Sequence, residues 1–301
     1  MFGLSDDDRE FFDRAGFLIA PNVLPPAKVD ELVALIDRLH RKYGGDPRTG
    51  RMELRNCVAH DPELLALAAH PAMLAVVVDL LGPNIKLRTS ELDVRPPISP
   101  EMARNEVGRN RWGEPEQWHI DGPLYLYPDV NGIVPMMEVR VGFFLSDVTG
   151  PTSGALCMAA GTHQLDYRLL MDPTYRVPER SMYHARVPAG SAVIFRTGLW
   201  HCTTPNLSEI TRKVLYYAYT YRWIEPSDYL EQSPELIERA SPVERQLLGA
   251  TVRPGRNPLG DHPEQIPCSH YWFTRPEDIP IAEWRESLNS TAAKHPAVSG
   301  R

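Results

Sequence analysis

The spacing of apolar residues changes near residue 85, and this change restricts the fold of the chain. Before it, apolar residues recur every three or four positions, as in the run Val29, Leu32, Val33, Ile36 and Leu39. That spacing is typical of an amphipathic helix. After it, apolar residues alternate with others, as in Val139, Val141, Phe143 and Leu145. Alternation is typical of strands. Helices followed by many short strands predict an α+β protein with a mainly β core, built as a barrel or sandwich.

The same patterns predict individual elements. Helices are expected over residues 5–16, 25–44, 62–69 and 72–81, with Ser5 as a cap and Pro25 and Pro26 opening the second. Strands are expected over 16–19, 85–95, 136–147, 155–159, 191–195, 199–203 and 212–223. Residues 98–116 are predicted to form a mobile loop. The Pro-rich tail after Glu225 is predicted to hold one or two short helices. Both segments are candidate lids.

Composition restricts the partners of the chain. Its net charge of -7 disfavours a nucleic-acid partner. No two of its four cysteines form a C-x-x-C pair, and no apolar run approaches the length of a membrane span. The acidic N-terminus does not resemble a signal peptide. We therefore expect a cytoplasmic protein without a membrane partner, as a monomer or homodimer. We expect one domain, with a helical flank over 1–84, a core over 85–223 and a covering segment over 224–301.

One constellation in the strand-rich half carries metal chemistry. His119 and Asp121 are two residues apart, so in an extended segment their side chains point to the same face. His201 lies in the predicted strand over 199–203, remote in sequence, and supplies a third ligand. Two imidazoles and one carboxylate are the ligand set of non-haem iron(II) sites that keep open positions for substrate chemistry. The sequence therefore predicts an iron site at His119, Asp121 and His201.

The spacing of the first two ligands is weak evidence by itself. Random placement of 10 histidines and 39 acidic residues among 301 positions gives about 1.3 such pairs. The chain has a second pair, His262 and Glu264, but no comparable partner follows it. We therefore interpret His262 as a surface or lid residue.

Arg212 strengthens the first constellation. It opens the strand after His201, and its planar guanidinium can bind a carboxylate through two hydrogen bonds. Thr203 lies two residues after His201, on the same strand face, and its hydroxyl can donate to that carboxylate. These two residues predict a dicarboxylate co-substrate, 2-oxoglutarate. The alternative for Arg212 is an ordinary surface arginine.

Three further segments resemble the phytanoyl-CoA dioxygenase-like family of Fe(II)/2-oxoglutarate oxygenases. The segment 145–163 resembles the hairpin N-G-x-L…P-G-S-H of that family, with Ser153, Ala160 and Thr162 as substitutions. The segment 188–195 resembles its strand x-x-G-D-x-x-x-F. The segment from His201 to Arg212 resembles its motif H-x-S-x-x-N…R. The resemblance covers about residues 5–223.

The resemblance implies a double-stranded β-helix, a cupin-like jelly roll flanked by N-terminal helices. It implies iron ligation by His119, Asp121 and His201, and 2-oxoglutarate binding by Arg212 and Thr203. Oxygen is the other co-substrate, and 2-oxoglutarate is decarboxylated to succinate. Halogenating relatives have a small residue in place of the carboxylate ligand. Asp121 therefore favours hydroxylation of a small-molecule metabolite, for example in secondary metabolism, with desaturation or rearrangement as alternatives.

The substrate is less well defined. Four residues are candidates for contacting it: Arg88, Tyr125, Arg140 and Trp223. Each could instead be an ordinary core aromatic or surface arginine. Two other functional classes remain as alternatives. One is a cupin-type metal protein that does not use 2-oxoglutarate, and the other is an interaction domain with coincidental histidines.

Overall fold

The computed structural model describes residues 3–106, 118–121, 132–172, 174–250 and 279–294. The Cα positions group into two compact units. We call the unit of Asp6–Arg55 and Glu91–Tyr217 the sheet unit. The unit of Met1–Ser5, Asn56–Ser90 and Ala218–Arg301 is called the helical unit. The predicted single domain over 1–301 stays a prediction, and the two units are described separately.

Nine strands are present among the described residues. They are β1 (Phe17–Ala20), β2 (Met52–Arg55), β3 (Ile85–Arg95), β4 (Glu138–Phe144), β5 (Leu156–Ala159), β6 (Met182–Ala185), β7 (Ser191–Arg196), β8 (His201–Thr203) and β9 (Arg212–Tyr221). Six of them form a sheet in the order β1-β7-β4-β9-β3-β2, and three form a second sheet in the order β6-β5-β8. Residues 85–90 of β3 and 218–221 of β9 are assigned to the helical unit.

Both sheets contain antiparallel pairs in the sheet unit. β1 pairs with β7 in the register Phe17↔Phe195, and β5 pairs with β8 in the register Met158↔His201. A core cluster joins side chains of the six-stranded sheet to those of the smaller sheet, among them Phe144, Val193, Phe195, Leu156 and Met158. Two antiparallel sheets packed over one apolar core are the architecture of a jelly roll. The predicted mainly β fold class is confirmed.

Two helices flank the first strand of the sheet unit, α1 before β1 and α2 after it. α1 (Asp6–Ala15) has three aspartates in its first turn, which complement the helix dipole. α2 (Pro26–Tyr43) begins with proline and ends at Gly44, which has a φ of 75°. Such a backbone favours glycine at a helix end. The predicted stripe of α2 is largely buried, as Val29, Leu32, Ile36 and Leu39 are.

The helical unit holds α3 (Pro62–Ala68), α4 (Pro71–Leu81), α6 (Pro234–Arg239), α7 (Pro242–Leu247) and α8 (Pro280–Lys294). Several polar contacts join its segments, two of which involve α4 and the turn after it. Arg285 pairs with Asp79 at 3.0 Å, and the Gln246 side chain donates to the Pro83 carbonyl oxygen at 2.8 Å. Among the described helices, none could cross a membrane alone; α3 and α4 meet the length and composition criteria only together, with a 46° bend between them.

The structure differs from the predicted elements in several places. Part of the predicted loop over 98–116 is a helix, α5 (Pro100–Glu106), and residues 107–116 lie outside the described range. The strands β2 and β6 and the helix α8 had not been predicted. Both missed strands are only four residues long. In β2 the charged residues Glu53 and Arg55 occupy one face, so the apolar content of the strand is low.

Candidate active site

The three predicted ligands lie together in the sheet unit. His119 forms an isolated β-bridge with His201, and their backbones exchange hydrogen bonds of 3.0 and 2.9 Å. This bridge brings the segment that carries Asp121 beside β8. One potential ligand atom from each of His119, Asp121 and His201 lies within 4.8 Å of the other two. His201 lies 80 residues after Asp121 in the sequence, and the fold brings it beside the other two residues.

His201 has the protonation state that a metal ligand requires. Its Nδ1 atom lies 2.9 Å from the Leu199 carbonyl oxygen, which can only accept. The Nδ1 atom therefore carries the hydrogen, and the Nε2 atom presents a lone pair 3.4 Å from Oδ2 of Asp121. Burial lowers the pKa of His201 to about 4; the Asp121 carboxylate opposes this shift and the neighbouring His119 adds to it. A neutral imidazole and a carboxylate at this separation fit a divalent metal ion.

Arg140 lies against the carboxylate of the triad. Its Nε atom is 2.8 Å from Oδ2 of Asp121 and 3.1 Å from Oε1 of Glu138. A third carboxylate, that of Glu91, is 4.0 Å from its Nη1 atom. Burial opposes the charge of Arg140, but the three carboxylates outweigh burial and raise its pKa. Arg140 had been predicted to contact substrate, and the structure places it between Asp121 and two further acidic groups.

A cavity of about 470 Å³ opens beside the triad, and the residues that line it belong to the sheet unit. All three predicted metal ligands and Thr203 contribute to its wall. The remaining lining residues are Arg51, Glu53, Arg55, Glu91, Asp93, Arg95, Trp118, Arg140, Leu156, Phe195 and Tyr216. The volume suits a small molecule together with a co-substrate.

One wall of this cavity is charged throughout. β2 and β3 pair in the register Glu53↔Asp93 and Arg55↔Glu91, so the alternate residues of both strands share one face. We call this face the charged wall: Arg51, Glu53, Arg55, Glu91, Asp93 and Arg95. Residues on the opposite face, such as Met52 and Val94, are buried and apolar. Six ionisable side chains therefore face the cavity from two neighbouring strands.

The charged wall is held by ion pairs across and along its strands. Arg55 pairs with Glu91 at 2.8 Å and also contacts Glu53. Arg95 pairs with Asp93 at 2.7 Å. Burial raises the pKa of Glu91 to about 7, with Glu53 adding to the rise, whereas Arg55 and Arg140 oppose it.

Arg212, the predicted co-substrate anchor, is fully buried next to the cavity. Its Nη1 atom donates to Oδ2 of Asp93 at 2.6 Å, and its Nη2 atom donates to the Tyr216 hydroxyl at 2.7 Å. Burial opposes its charge, but Tyr216 and Asp93 raise its pKa. Its two partners line the cavity, and so does Thr203, two residues after His201. The guanidinium is thus one side chain away from the open space.

The other predicted substrate residues lie elsewhere. Arg88 and Trp223 belong to the helical unit and are not among the described residues that line the cavity. Trp223 is 55% exposed and stacks on Tyr221. Tyr125 lies outside the described residues, as does the second histidine pair at His262. Their proposed contacts with substrate stay predictions.

Sequence reasoning missed the charged wall. Charged residues alternate with apolar ones at positions 51, 53 and 55, and again at positions 91, 93 and 95. Because side chains of a strand alternate between its two faces, this spacing predicts two strands that each have one polar face. What the sequence could not provide was the pairing of β2 with β3, which brings the two faces together.

A double-sheet β core with a His-x-Asp…His cluster beside its cavity defines the class of non-haem iron and 2-oxoglutarate-dependent oxygenases. The family model "Phytanoyl-CoA dioxygenase (PhyH)" matches residues 12–214, about two thirds of the chain. The chain belongs to this family, whose members use Fe(II), 2-oxoglutarate and O2. The family match therefore confirms the predicted family, the predicted class of enzyme and the predicted cofactors.

Individual relatives are distant. Ectoine dioxygenase of Stutzerimonas stutzeri is 21% identical over 243 residues, which cover 70% of this chain and 75% of that protein. The structure of HygX from Streptomyces hygroscopicus with nickel and 2-oxoglutarate bound has a TM-score of 0.57 at 21% identity, covering 79% of this chain and 95% of that one. EctD from S. alaskensis with bound Fe has a TM-score of 0.57 at 20% identity, covering 74% and 80%. These structures are similar in fold.

Proposed function

We propose that this protein hydroxylates a small polar metabolite, using Fe(II), O2 and 2-oxoglutarate and releasing succinate and carbon dioxide. The observation that carries the proposal is the triad of His119, Asp121 and His201, whose ligand atoms lie within 4.8 Å of one another beside a cavity. The tautomer of His201 supports it, because the hydrogen on Nδ1 leaves Nε2 available for the metal.

The roles of the residues follow from their chemistry. His119, Asp121 and His201 would hold iron(II), which when bound supplies the activation of oxygen. Asp121 would supply the carboxylate ligand that halogenating relatives lack, so its presence favours hydroxylation, with desaturation or rearrangement as alternatives. The protein's task is to orient one C–H bond of the substrate and to exclude bulk water.

Arg212 and Thr203 would bind the distal carboxylate of 2-oxoglutarate. The Arg212 side chain is fully buried, and its Nη1 atom donates a hydrogen bond to Oδ2 of Asp93. Binding therefore requires Arg212 to share or exchange this partner. The neighbouring Arg95 and Arg51 also pair with Asp93, so Asp93 keeps counter-charges if Arg212 turns to the co-substrate.

The charged wall supports a polar substrate. A long acyl chain or a flat apolar ring system would have to displace water from six ionisable side chains without replacing their hydrogen bonds. We further propose that the protein acts on its substrate in the cytoplasm as a monomer or homodimer, without a nucleic-acid or membrane partner.

The proposal is tested by anaerobic titration of the protein with Fe(II) and then 2-oxoglutarate. A weak visible charge-transfer band is expected, which His119→Ala and His201→Ala abolish and Arg212→Ala diminishes. His60→Ala, in the helical unit, serves as the matched control and retains the band. Iron binding without a band on addition of 2-oxoglutarate would instead identify a cupin-type metal protein that does not use this co-substrate.

A further inference from the structure

Two cysteines face each other across neighbouring strands on the side of the smaller sheet that points away from the cavity. Cys157 on β5 is the direct register partner of Cys202 on β8. Their neighbours Leu156 and Thr203 line the cavity, so the cysteine side chains point the opposite way. Both are buried, and neither is in a disulfide.

The strand pairing sets the distance between the two cysteines. Ala159 donates to the Trp200 carbonyl oxygen at 2.8 Å, and Thr204 donates to the Ala155 carbonyl oxygen at 3.1 Å. Because hydrogen-bonded pairs alternate along an antiparallel ladder, Cys157 and Cys202 also form a hydrogen-bonded pair. The Cα atoms of such a pair lie roughly 5.5 Å apart, which is within the usual range for a disulfide.

A histidine completes the row. His184 on β6 is the register partner of Cys157 on its other side, and its Nε2 atom lies 3.8 Å from the Cys157 Sγ atom. His184 is exposed, whereas Cys157 is buried. An imidazole at this distance can accept the thiol proton, and the thiolate is the reactive form of cysteine.

We propose that Cys157 and Cys202 form a peroxide-oxidised thiol pair, in which His184 accepts the proton of Cys157. The Cys157 thiolate attacks one oxygen of hydrogen peroxide, the O–O bond breaks, and Cys157 becomes a sulfenic acid. The leaving hydroxide takes up the proton held by His184 and departs as water. The Cys202 sulfur then attacks the sulfenic sulfur, and a second water leaves with the Cys202 proton. Two thiols are oxidised and one peroxide is reduced to two waters.

The position of the pair connects it to the cavity. Cys202 lies between His201 and Thr203 on the three-residue strand β8. A bond at Cys202 Sγ fixes this strand to β5. Oxidation of the pair therefore joins β5 covalently to the strand that carries the cavity residues His201 and Thr203.

The test uses the full chain, freed of metal with a chelator so that peroxide reacts with the protein alone. After exposure to hydrogen peroxide, remaining thiols are alkylated and the protein is digested without reduction. The expected product is a peptide linking Cys157 to Cys202, with the intact mass lowered by two hydrogens and restored by dithiothreitol. His184→Phe is expected to form this link roughly ten-fold more slowly.

Matched variants separate the pair from the other thiols. Cys57→Ser, in the helical unit, is expected to retain the link, and Cys202→Ser is expected to accumulate a sulfenic acid at Cys157 that dimedone traps. Should Cys202→Ser fail to fold, the wild-type peptide map decides alone. The proposal is overturned if both cysteines remain fully alkylated, if each is oxidised without a link, or if the link involves Cys57 or Cys268.

Discussion

Arg212 donates a hydrogen bond from Nη1 to Oδ2 of Asp93 over 2.6 Å, and neither side chain exposes more than 2% of its surface. The residue proposed to bind the co-substrate thus already holds a carboxylate of the protein. Removing one partner of a buried ion pair leaves the other charge without compensation. The pair therefore connects the stability of the protein to the binding of 2-oxoglutarate.

Asp93→Asn is expected to destabilise the protein by about 3 kcal/mol. 2-Oxoglutarate should recover part of this loss, because its distal carboxylate supplies the missing negative charge. Thermal unfolding of wild type and variant, with nickel(II) in place of iron and with or without 2-oxoglutarate, measures both effects. The co-substrate should raise the Tm of the variant more than that of wild type. An equal rise in both would contradict the competition between Asp93 and 2-oxoglutarate.

Arg140→Gln is expected to weaken metal binding by about ten-fold or more, as loss of groups that orient a ligand commonly does. The reason is that Arg140 holds Oδ2 of Asp121 at 2.8 Å. Titration with cobalt(II) or nickel(II) measures the affinity without turnover. Arg168→Gln is the matched control, because Arg168 pairs with Asp166 on the surface. If both variants bind metal like wild type, Arg140 does not position Asp121.

Thr203→Val is expected to raise the Kd for 2-oxoglutarate about three- to ten-fold, because the variant loses one hydrogen bond to the co-substrate. Thr204→Val provides a nearby comparison, because the Thr204 hydroxyl donates to the Ala155 carbonyl oxygen instead. That variant should lose stability but keep the wild-type Kd. Calorimetric titration of the nickel-loaded proteins measures the Kd. A stronger effect of Thr204→Val than of Thr203→Val would refute this assignment.

Glu91→Gln is expected to change how stability depends on pH. Burial raises the folded-state pKa of Glu91 from 4.5 to about 7, so the folded state holds a proton that the unfolded state releases. This contribution is fully present below pH 4.5 and is lost as the pH rises through about 7. In metal-free protein, the fall in unfolding free energy between about pH 5 and about pH 8 should be smaller in the variant by roughly 1–3 kcal/mol.

The control for Glu91 is Glu10→Gln, since Glu10 is exposed and pairs with its helix neighbour Arg14 at 3.2 Å. Urea unfolding at the same two pH values should show that the unfolding free energy of the Glu10→Gln variant depends on pH as that of wild type does. A Glu91→Gln variant with that same dependence would mean that Glu91 is ionised throughout this range.

The sequence predicts the parts of this structure that depend on local pattern. The stripe of α2, the alternation of β4 and the spacing of His119 and Asp121 were all interpretable because each involves near neighbours. The register between β2 and β3 was not, because strand pairing depends on the whole sheet. The partner of Arg212 is 119 residues away in sequence, so its ion pair with Asp93 had no local pattern to indicate it.

Arg140 illustrates the same limit at the site. It lies on the alternating strand β4, and its side chain lines the cavity. Whether a cavity arginine meets substrate or a neighbouring carboxylate depends on distances across strands. Those distances place it beside Asp121, Glu138 and Glu91.

The hydrogen bond that fixes the tautomer of His201 has a consequence for how this site tolerates mutation. Its acceptor is the main-chain oxygen of Leu199, which every amino acid carries, so substitution at position 199 leaves the acceptor in place. The vulnerable position is the residue before it, Gly198, which has a φ of 83° and whose Cβ would meet Val134 at 3.1 Å. A substitution at Gly198 can therefore change the tautomer of His201 by distorting this turn, even when His119, Asp121 and His201 are themselves unchanged.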